Sequence, residues 1–396
     1  MKVAVVSEFY PRAHDPVLGI WAHRQAQAAI AAGAEVRVVV LNRVVPPAAT
    51  PMLRRPGAAL KLALHPSRSE IDGVEIDYVR YASPPMGRSY GSWGSWAAKP
   101  LGRALTKLRE EFPFDLIHAH NAVPAADAAL TAGITDPLVV SVHGADLYYT
   151  APRFPEGRAA IERAFAQARL VIANSAGIAD GCAQLGAERC EVVHLGTDLP
   201  ESRAPRPEHP TLVTVAHLAT RKRHADVLRA IWVLRDRFPE LRYLIIGDGP
   251  ERANLEQLVD SLGLSGRVEF AGQLSNEEAL RRARECSIFV MPSVDEAFGV
   301  AYIEAMAGWL PAIGAVGEPG PFEIRLYGQG MRIVPPADVE RLAERLAEMI
   351  EDPALIADLG NHARATVERE FSWPACGKAT VAAYEKALAR CPSPCY

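Results

Sequence analysis

"SIFVMPSVDEAFGVAYIEAM", Ser287 to Met306, begins as an uninterrupted apolar run and ends as a helix-like one. The run does not alternate apolar with polar residues. A strand of that kind has both faces buried, as in a parallel sheet covered by helices on each side. Two carboxylates, Glu296 and Glu304, then flank Gly299 where the strand gives way to the helix. Charged groups beside such an apolar stretch need a reason.

The same pattern recurs along the chain. The first half carries "VAVVSEF", "VRVVVLN", "DLIHAHN", "LVVSVHG", "LVIANS" and "VVHLG". The second half carries "LVTVAHL", "YLIIGDG", "VEFAGQL", "SIFVMPS" and "PAIGAV". Each run leads into a helix-like stretch. Between the two series lies "LPESRAPRPEHP", Leu199 to Pro210, whose proline and charge read as a linker. At 396 residues the chain is long enough for two domains. The expected fold is α/β, with two doubly wound Rossmann-like domains facing across a cleft. Residues 1–200 form the first domain, 201–210 the linker and 211–373 the second. Ligands in such sheets sit outside the carboxyl ends of the strands.

Composition excludes several classes. The chain is 49% hydrophobic and 23% charged, with a net charge of −4. That is neither a disordered chain nor one drawn to nucleic acid. The longest stretch free of Asp, Glu, Lys and Arg, Ala305 to Gly317, is too short to span a bilayer. The N-terminus lacks a basic segment followed by a long apolar core, so no signal peptide is expected. The six cysteines form no CxxC pair, which fits a reduced, cytoplasmic protein without a structural metal.

Polar residues gather at the strand ends: His118, His120 and Asn121; His143 and Asp146; His217, Arg221, Lys222 and Arg223; Gly247 and Gly249. Gly299 allows a tight turn, and the amides of Phe298, Gly299 and Val300 would lie at a helix N-terminus, a seat for phosphate. Glu304 follows about one turn later, and a carboxylate there can accept hydrogen bonds from two neighbouring hydroxyls of a ribose or a sugar. Lys222 and Arg221 would neutralise a diphosphate. "GDGPER" is not a dinucleotide fingerprint, because Arg252 stands where the third glycine would be.

These residues resemble glycosyltransferase family 4, a group of retaining enzymes with the GT-B fold. "PSVDEAFGVAYIEAMAGWLPAIGAVGEPGPFEI" carries the E-x7-E motif of that family, and "VAHLATRKRHADVLRAI" is similar to its basic phosphate-binding unit. "FSWPACGKATVAAYEKAL" resembles the closing helix, 374–390, that returns to the first domain. "EFYPRAHDPVLGIWAHRQAQAAIAAGAEVRVV", "DLIHAHNAVP" and "SVHGADL" resemble the branch that builds bacterial surface polysaccharides and teichuronic-acid-type polymers.

The resemblance implies roles. Glu296 would contact the donor sugar and steady an oxocarbenium-like transition state, with His120 beside the reacting carbon. Lys222 and Arg221 would hold the diphosphate, Gly19 would bring amides to it, and Glu304 would bind the ribose. Gly272 and Gln273 would lie by the base, and His143 and Asp146 on the acceptor side. Two departures stand out. His217 replaces a usual arginine, so that Arg221 or Arg223 takes over its contact or the site is weaker. "VLGI" has one glycine where many members have two. No Asp-x-Asp pair occurs, so no metal and no other cofactor is expected.

The expected activity is transfer of a sugar from a nucleoside diphosphate sugar, UDP favoured and GDP next, to a glycan or lipid-linked acceptor. A nucleotide-sugar epimerase or hydrolase, or a non-catalytic binder, remains the alternative. Segment 51–110 holds ten basic residues against five acidic ones, with Tyr90, Trp93 and Trp96 interleaved. Such a surface could rest on an anionic membrane.

Overall fold

The structure, a computed structural model, describes residues 1–12, 15, 18–44, 65–84, 91–296 and 298–389. The chain divides into two compact units, Met1–Leu195 with Trp373–Tyr396, and Gly196–Ser372. The boundary therefore falls at Gly196, and the proline-rich stretch expected as a linker belongs to the second unit. Arg364 supplies the reason. Its Nη1 donates to the carbonyls of Pro200 and Ala307 at 2.9 Å each. Its guanidinium also lies 4.3 Å from the centre of the Trp309 ring.

Among the described residues the first unit is built on eight strands: β1 Lys2–Ser7, β2 Glu35–Arg43, β3 Arg68–Ile71, β4 Val74–Tyr81, β5 Leu116–His120, β6 Leu138–Val142, β7 Leu170–Ala173 and β8 Cys190–Val192. Their order is β3-β4-β2-β1-β5-β6-β7-β8, and all neighbours are parallel except β3 and β4. β1 lies between β2 and β5, with Val5 opposite Val38 on one side and His118 on the other. The order reverses at that point, which opens a ligand site beyond the strand ends. Val3 and Val5 pack with Ala22, Ala26 and Ala29 of the helix Ile20–Ala31.

The hairpin β3–β4 does not stand out as an apolar run. "VEIDYVRY" alternates because part of one face of β4 meets water near the sheet edge. Its signal is the two-residue turn Asp72-Gly73, where φ is 49° and 78°. The run "VVHLG" is also placed differently: β8 ends at Val192, and only the Val193 amide continues to the sheet, donating to Ala173 at 2.9 Å.

The basic segment is less uniform than its composition suggests. Trp93 is buried inside the helix Trp93–Glu111, and its indole N–H donates to the Tyr81 hydroxyl. Arg68 is paired with Asp77 and Glu111, and Arg109 with Asp136. Trp96 is 47% exposed, and Lys99, Arg103 and Lys107 are exposed on the same helix. Arg54, Arg55, Lys61, Arg88 and Tyr90 lie outside the described residues.

The closing helix, Trp373–Leu388, packs on Ile20–Ala31 within this unit. Inside that contact the buried Gln25 amide donates to the Thr380 hydroxyl at 3.0 Å. A buried amide needs such a partner.

Among the described residues the second unit has six strands: β9 Thr211–Val215, β10 Arg242–Ile246, β11 Val268–Gly272, β12 Ile288–Val290, β13 Ala312–Ala315 and β14 Met331–Val334. All are parallel in the order β11-β10-β9-β12-β13-β14. The order reverses between β9 and β12, where Val213 faces Phe289. Leu212, Ile245, Ile288 and Ile313 form a core with Leu228 and Ile231 of the helix His224–Leu234 and Leu346 of Val339–Glu351.

Candidate functional site

The reversal between β9 and β12 brings two loops together, and each carries a charge. After β9 the chain makes a short turn, Thr220–Lys222, and Arg223 in a left-handed conformation sends it into His224–Leu234. After β12 it reaches Glu296. The Lys222 ammonium and the Glu296 carboxylate are both buried and directly hydrogen-bonded. Burial pushes the Lys222 pKa down, and the Glu296 charge partly restores it. The Ser293 hydroxyl donates to the same carboxylate oxygen at 3.1 Å. Tyr302 lies 3.2 Å from that hydroxyl and donates its own proton to the Met291 carbonyl. Arg221 is half exposed, with Nη1 3.9 Å from Glu296 and donating to the Asp295 carbonyl at 3.2 Å.

Gly299 caps the helix Val300–Ala307 with φ of 80°. A Cβ there would lie 2.5 Å from the Tyr302 ring, so the ring needs a glycine beneath it. Phe298 is buried with its ring against Phe371. Glu304 is partly exposed one turn into the helix, and Asn276 donates to it at 3.4 Å. Burial raises the Glu304 pKa against that hydrogen bond. Gly272 ends β11, and its carbonyl accepts from the Gly247 amide at 2.8 Å. Gln273 follows it on the surface.

In the first unit the reversal lies between β1 and β5. Gly19 opens Ile20–Ala31 with φ of 63°, and a Cβ would fall 2.0 Å from the Phe9 carbonyl oxygen. His120 ends β5 and His143 follows β6. Their rings stack with centroids 5.2 Å apart, and His120 Nδ1 is 2.9 Å from His143 Nε2. His118 sits between the Tyr384 and Ser141 hydroxyls, 2.7 Å from each. Burial pushes His118 down to about 3 and His143 to about 4, and holds His120 well below its ordinary value. His120 Nε2 is buried without a hydrogen-bond partner. Asp146, expected beside His143 to face an acceptor, is instead buried beneath the loop after β5. It accepts the amides of Ala122 and Val123 at 3.0 and 3.2 Å. Burial raises it to about 6 against those bonds. Its observed work is to hold a loop.

Ser293, Tyr302, Asn276 and Glu318 were not singled out in the sequence. Glu318 accepts the Glu296 amide at 2.7 Å and so helps set that residue's backbone. Ser293 stands three residues before Glu296, the one local signal among them.

Two measurements check these assignments. Lys222→Met leaves a buried carboxylate without its main partner and should cost about 3 kcal/mol in urea unfolding. Adding Glu296→Leu should recover most of that loss, and an additive second loss would show that the two groups do not act as a pair. The histidines provide the other test. Each has a folded pKa below its unfolded one, so its contribution is present above about 6.5 and is lost as pH falls toward the folded value. His143→Gln should therefore flatten the fall in stability between about pH 6.5 and 4, by at most about 1.4 kcal/mol per pH unit. An unchanged slope would refute a neutral buried His143.

Comparison with known proteins agrees with this architecture. The family described as Glycosyltransferase Family 4 matches residues 18–201, and Glycosyl transferases group 1 matches residues 197–366. The chain is 31% identical over 208 residues to an MMP alpha-(1->4)-mannosyltransferase of Mycolicibacterium hassiacum, covering 51% of this chain. The match spans half the length of that relative, 50%. Among solved structures, sucrose-phosphate synthase from Thermosynechococcus elongatus is similar with a TM-score of 0.75 at 19% identity, over 98% of both chains. Anabaena HepE in complex with UDP is similar with a TM-score of 0.70 at 20% identity, over 97% of this chain and 100% of that one. The chain belongs to glycosyltransferase family 4, and its two parallel-sheet units are those of the GT-B fold.

Proposed function

We propose that the chain is a retaining glycosyltransferase that takes a sugar from a nucleoside diphosphate sugar and passes it to a hydroxyl of a glycan or lipid-linked glycan precursor. The observation that carries this reading is the buried Lys222–Glu296 pair, set where β9 and β12 part and beside the start of Val300–Ala307. An ammonium has three donors, so Lys222 can keep Glu296 and still meet a phosphate oxygen. Arg221 and the helix amides add donors for the same diphosphate. Negative charge grows on the leaving diphosphate as the sugar bond breaks, and fixed cations favour that state over the ground state. With Lys222 and Arg221 in that role, the reaction needs no metal.

Glu304 receives the ribose, with Asn276 orienting it. Gly272 and Gln273 lie by the base. A uridine donor is favoured by the likeness to HepE, which was solved with UDP, and a guanosine donor is next. The acceptor oxygen bonds to the anomeric carbon on the face that the diphosphate leaves, and the acceptor proton passes to the departing phosphate oxygen. In the first unit His120 serves the reacting sugar through its unpartnered Nε2 and Gly19 offers amides to phosphate, while His143 orients His120.

Calorimetry with UDP tests the carboxylates. Glu304→Ala should weaken binding by roughly 1.5–3 kcal/mol, whereas Glu296→Ala should bind UDP and lose mainly the transfer rate. The reverse pattern would mean that the roles are exchanged.

Proton NMR of the first-formed product tests the stereochemistry. The donor's anomeric configuration should be kept, without a covalent carboxylate intermediate of the glycosidase kind. An inverted product would exclude the mechanism.

No helix among the described residues is long and apolar enough to cross a membrane. We assign the enzyme to the cytoplasm, resting on anionic lipid through Trp96, Lys99, Arg103 and Lys107 of Trp93–Glu111. Each cation near such a surface contributes about 1 kcal/mol. Vesicle co-sedimentation should show binding to anionic lipid at low salt that Lys99→Gln/Arg103→Gln/Lys107→Gln abolishes. Equal recovery with neutral lipid would remove this surface from the reading.

A further inference from the structure

A cavity opens in the Gly196–Ser372 unit at the opposite ends of the strands. Its walls include Pro210, Ser287 and Leu310, which come just before β9, β12 and β13, whereas Lys222 and Glu296 come after β9 and β12. The volume is about 240 Å³. Trp309, Leu310, Ile350 and Ile356 supply an apolar wall. Three arginines, Arg203, Arg206 and Arg284, are among the residues that line it.

Two of these cations have no matching acid. Among the described residues neither Arg203 nor Arg206 forms an ion pair, and burial together with the Arg206 charge lowers the Arg203 pKa. Arg284 has the Asp198 and Glu304 charges near it but keeps a buried Nε without a hydrogen-bond partner. One acid, Glu208, shares the lining, and it is exposed. Cationic forks beside an aromatic and aliphatic wall are suited to one ligand chemistry, a carboxylate or phosphate head on an apolar body. The volume is below the roughly 300–1,000 Å³ of drug-sized sites, which limits the occupant to a small molecule.

We propose that this cavity is a binding site for a small organic anion, separate from the strand ends that hold Lys222 and Glu296. The head meets Arg203, Arg206 and Arg284, and the body lies against Trp309 and Ile356.

Isothermal titration of the full chain with phenyl phosphate and with benzoate tests the site, with inorganic phosphate and acetate as heads without a body. At least one aromatic anion should bind ten times or more tighter than its bare head. Arg203→Gln/Arg206→Gln should weaken that binding tenfold or more, and saturating UDP should leave it unchanged. Ile356→Trp, which keeps the arginines and fills the apolar end, should abolish it and serves where the double variant does not fold. The proposal is overturned if neither aromatic anion outbinds its bare head, if both variants bind as the parent does, or if UDP displaces the probe.

Discussion

An ammonium and a carboxylate nearly cut off from water can both stay charged only beside each other, and that constraint organises the second unit. Lys222 and Glu296 meet because β9 and β12 are neighbours, and the loops after them start from adjacent strand ends. Moving such ions out of water costs several kcal/mol each unless hydrogen bonds replace the lost hydration. Ser293 and Arg221 supply part of that replacement around Glu296. Glu318 fixes the Glu296 amide from the start of another helix, Pro319–Tyr327. The pair therefore depends on the sheet order, and the loop geometry in turn depends on the pair.

The first unit solves a related problem without charge. Burial favours the neutral form of His118, His120 and His143, and each ring nitrogen needs a donor or an acceptor accordingly. His118 finds both in hydroxyls, one of them from Tyr384 on the closing helix. The His120–His143 contact admits one proton between the rings. Whichever ring donates it, a proton is left on His120 Nε2 or His143 Nδ1, both buried without a partner. A group that takes a hydrogen bond from His120 therefore selects the tautomer in which His143 donates. Chain-terminal packing on Ile20–Ala31 thus reaches the strand ends through Tyr384.

Much of this was legible in the sequence where chemistry is local. Apolar runs mark strands buried on both faces: β5, β6, β7, β12 and β13 lie within the runs quoted, β1, β9 and β10 begin one residue before theirs, and β2 overlaps one that Arg37 interrupts. Glu296, Gly299 and Glu304 declare themselves because charge and glycine interrupt an apolar stretch. The β3–β4 hairpin is harder to see because its alternation resembles a polar loop, and its turn dipeptide is a brief signal. Glu318 and Asn276 lie 22 and 28 residues from the carboxylate residues they meet, and nothing in their own neighbourhoods points there. Asp146 shows the converse. Beside a histidine at a strand end it looks like a site residue, yet two backbone amides claim its carboxylate.

The departure at His217 can be followed into the structure. Its side chain is exposed, and its carbonyl accepts the Ala219 amide at 2.8 Å within the loop that delivers Lys222. Two arginines could supply the cation that His217 does not. Arg223 is already committed: its Nε donates to Asp226 at 2.6 Å, and its left-handed backbone belongs to the helix start. Arg221 holds a carbonyl at 3.2 Å and a carboxylate oxygen at 3.9 Å, and its side chain remains half exposed. A guanidinium so loosely held can exchange either contact for a phosphate oxygen at little cost, because water still solvates it. Arg221 is therefore the cation that complements Lys222 in the proposed donor site, and the turn Thr220–Lys222 brings both to it.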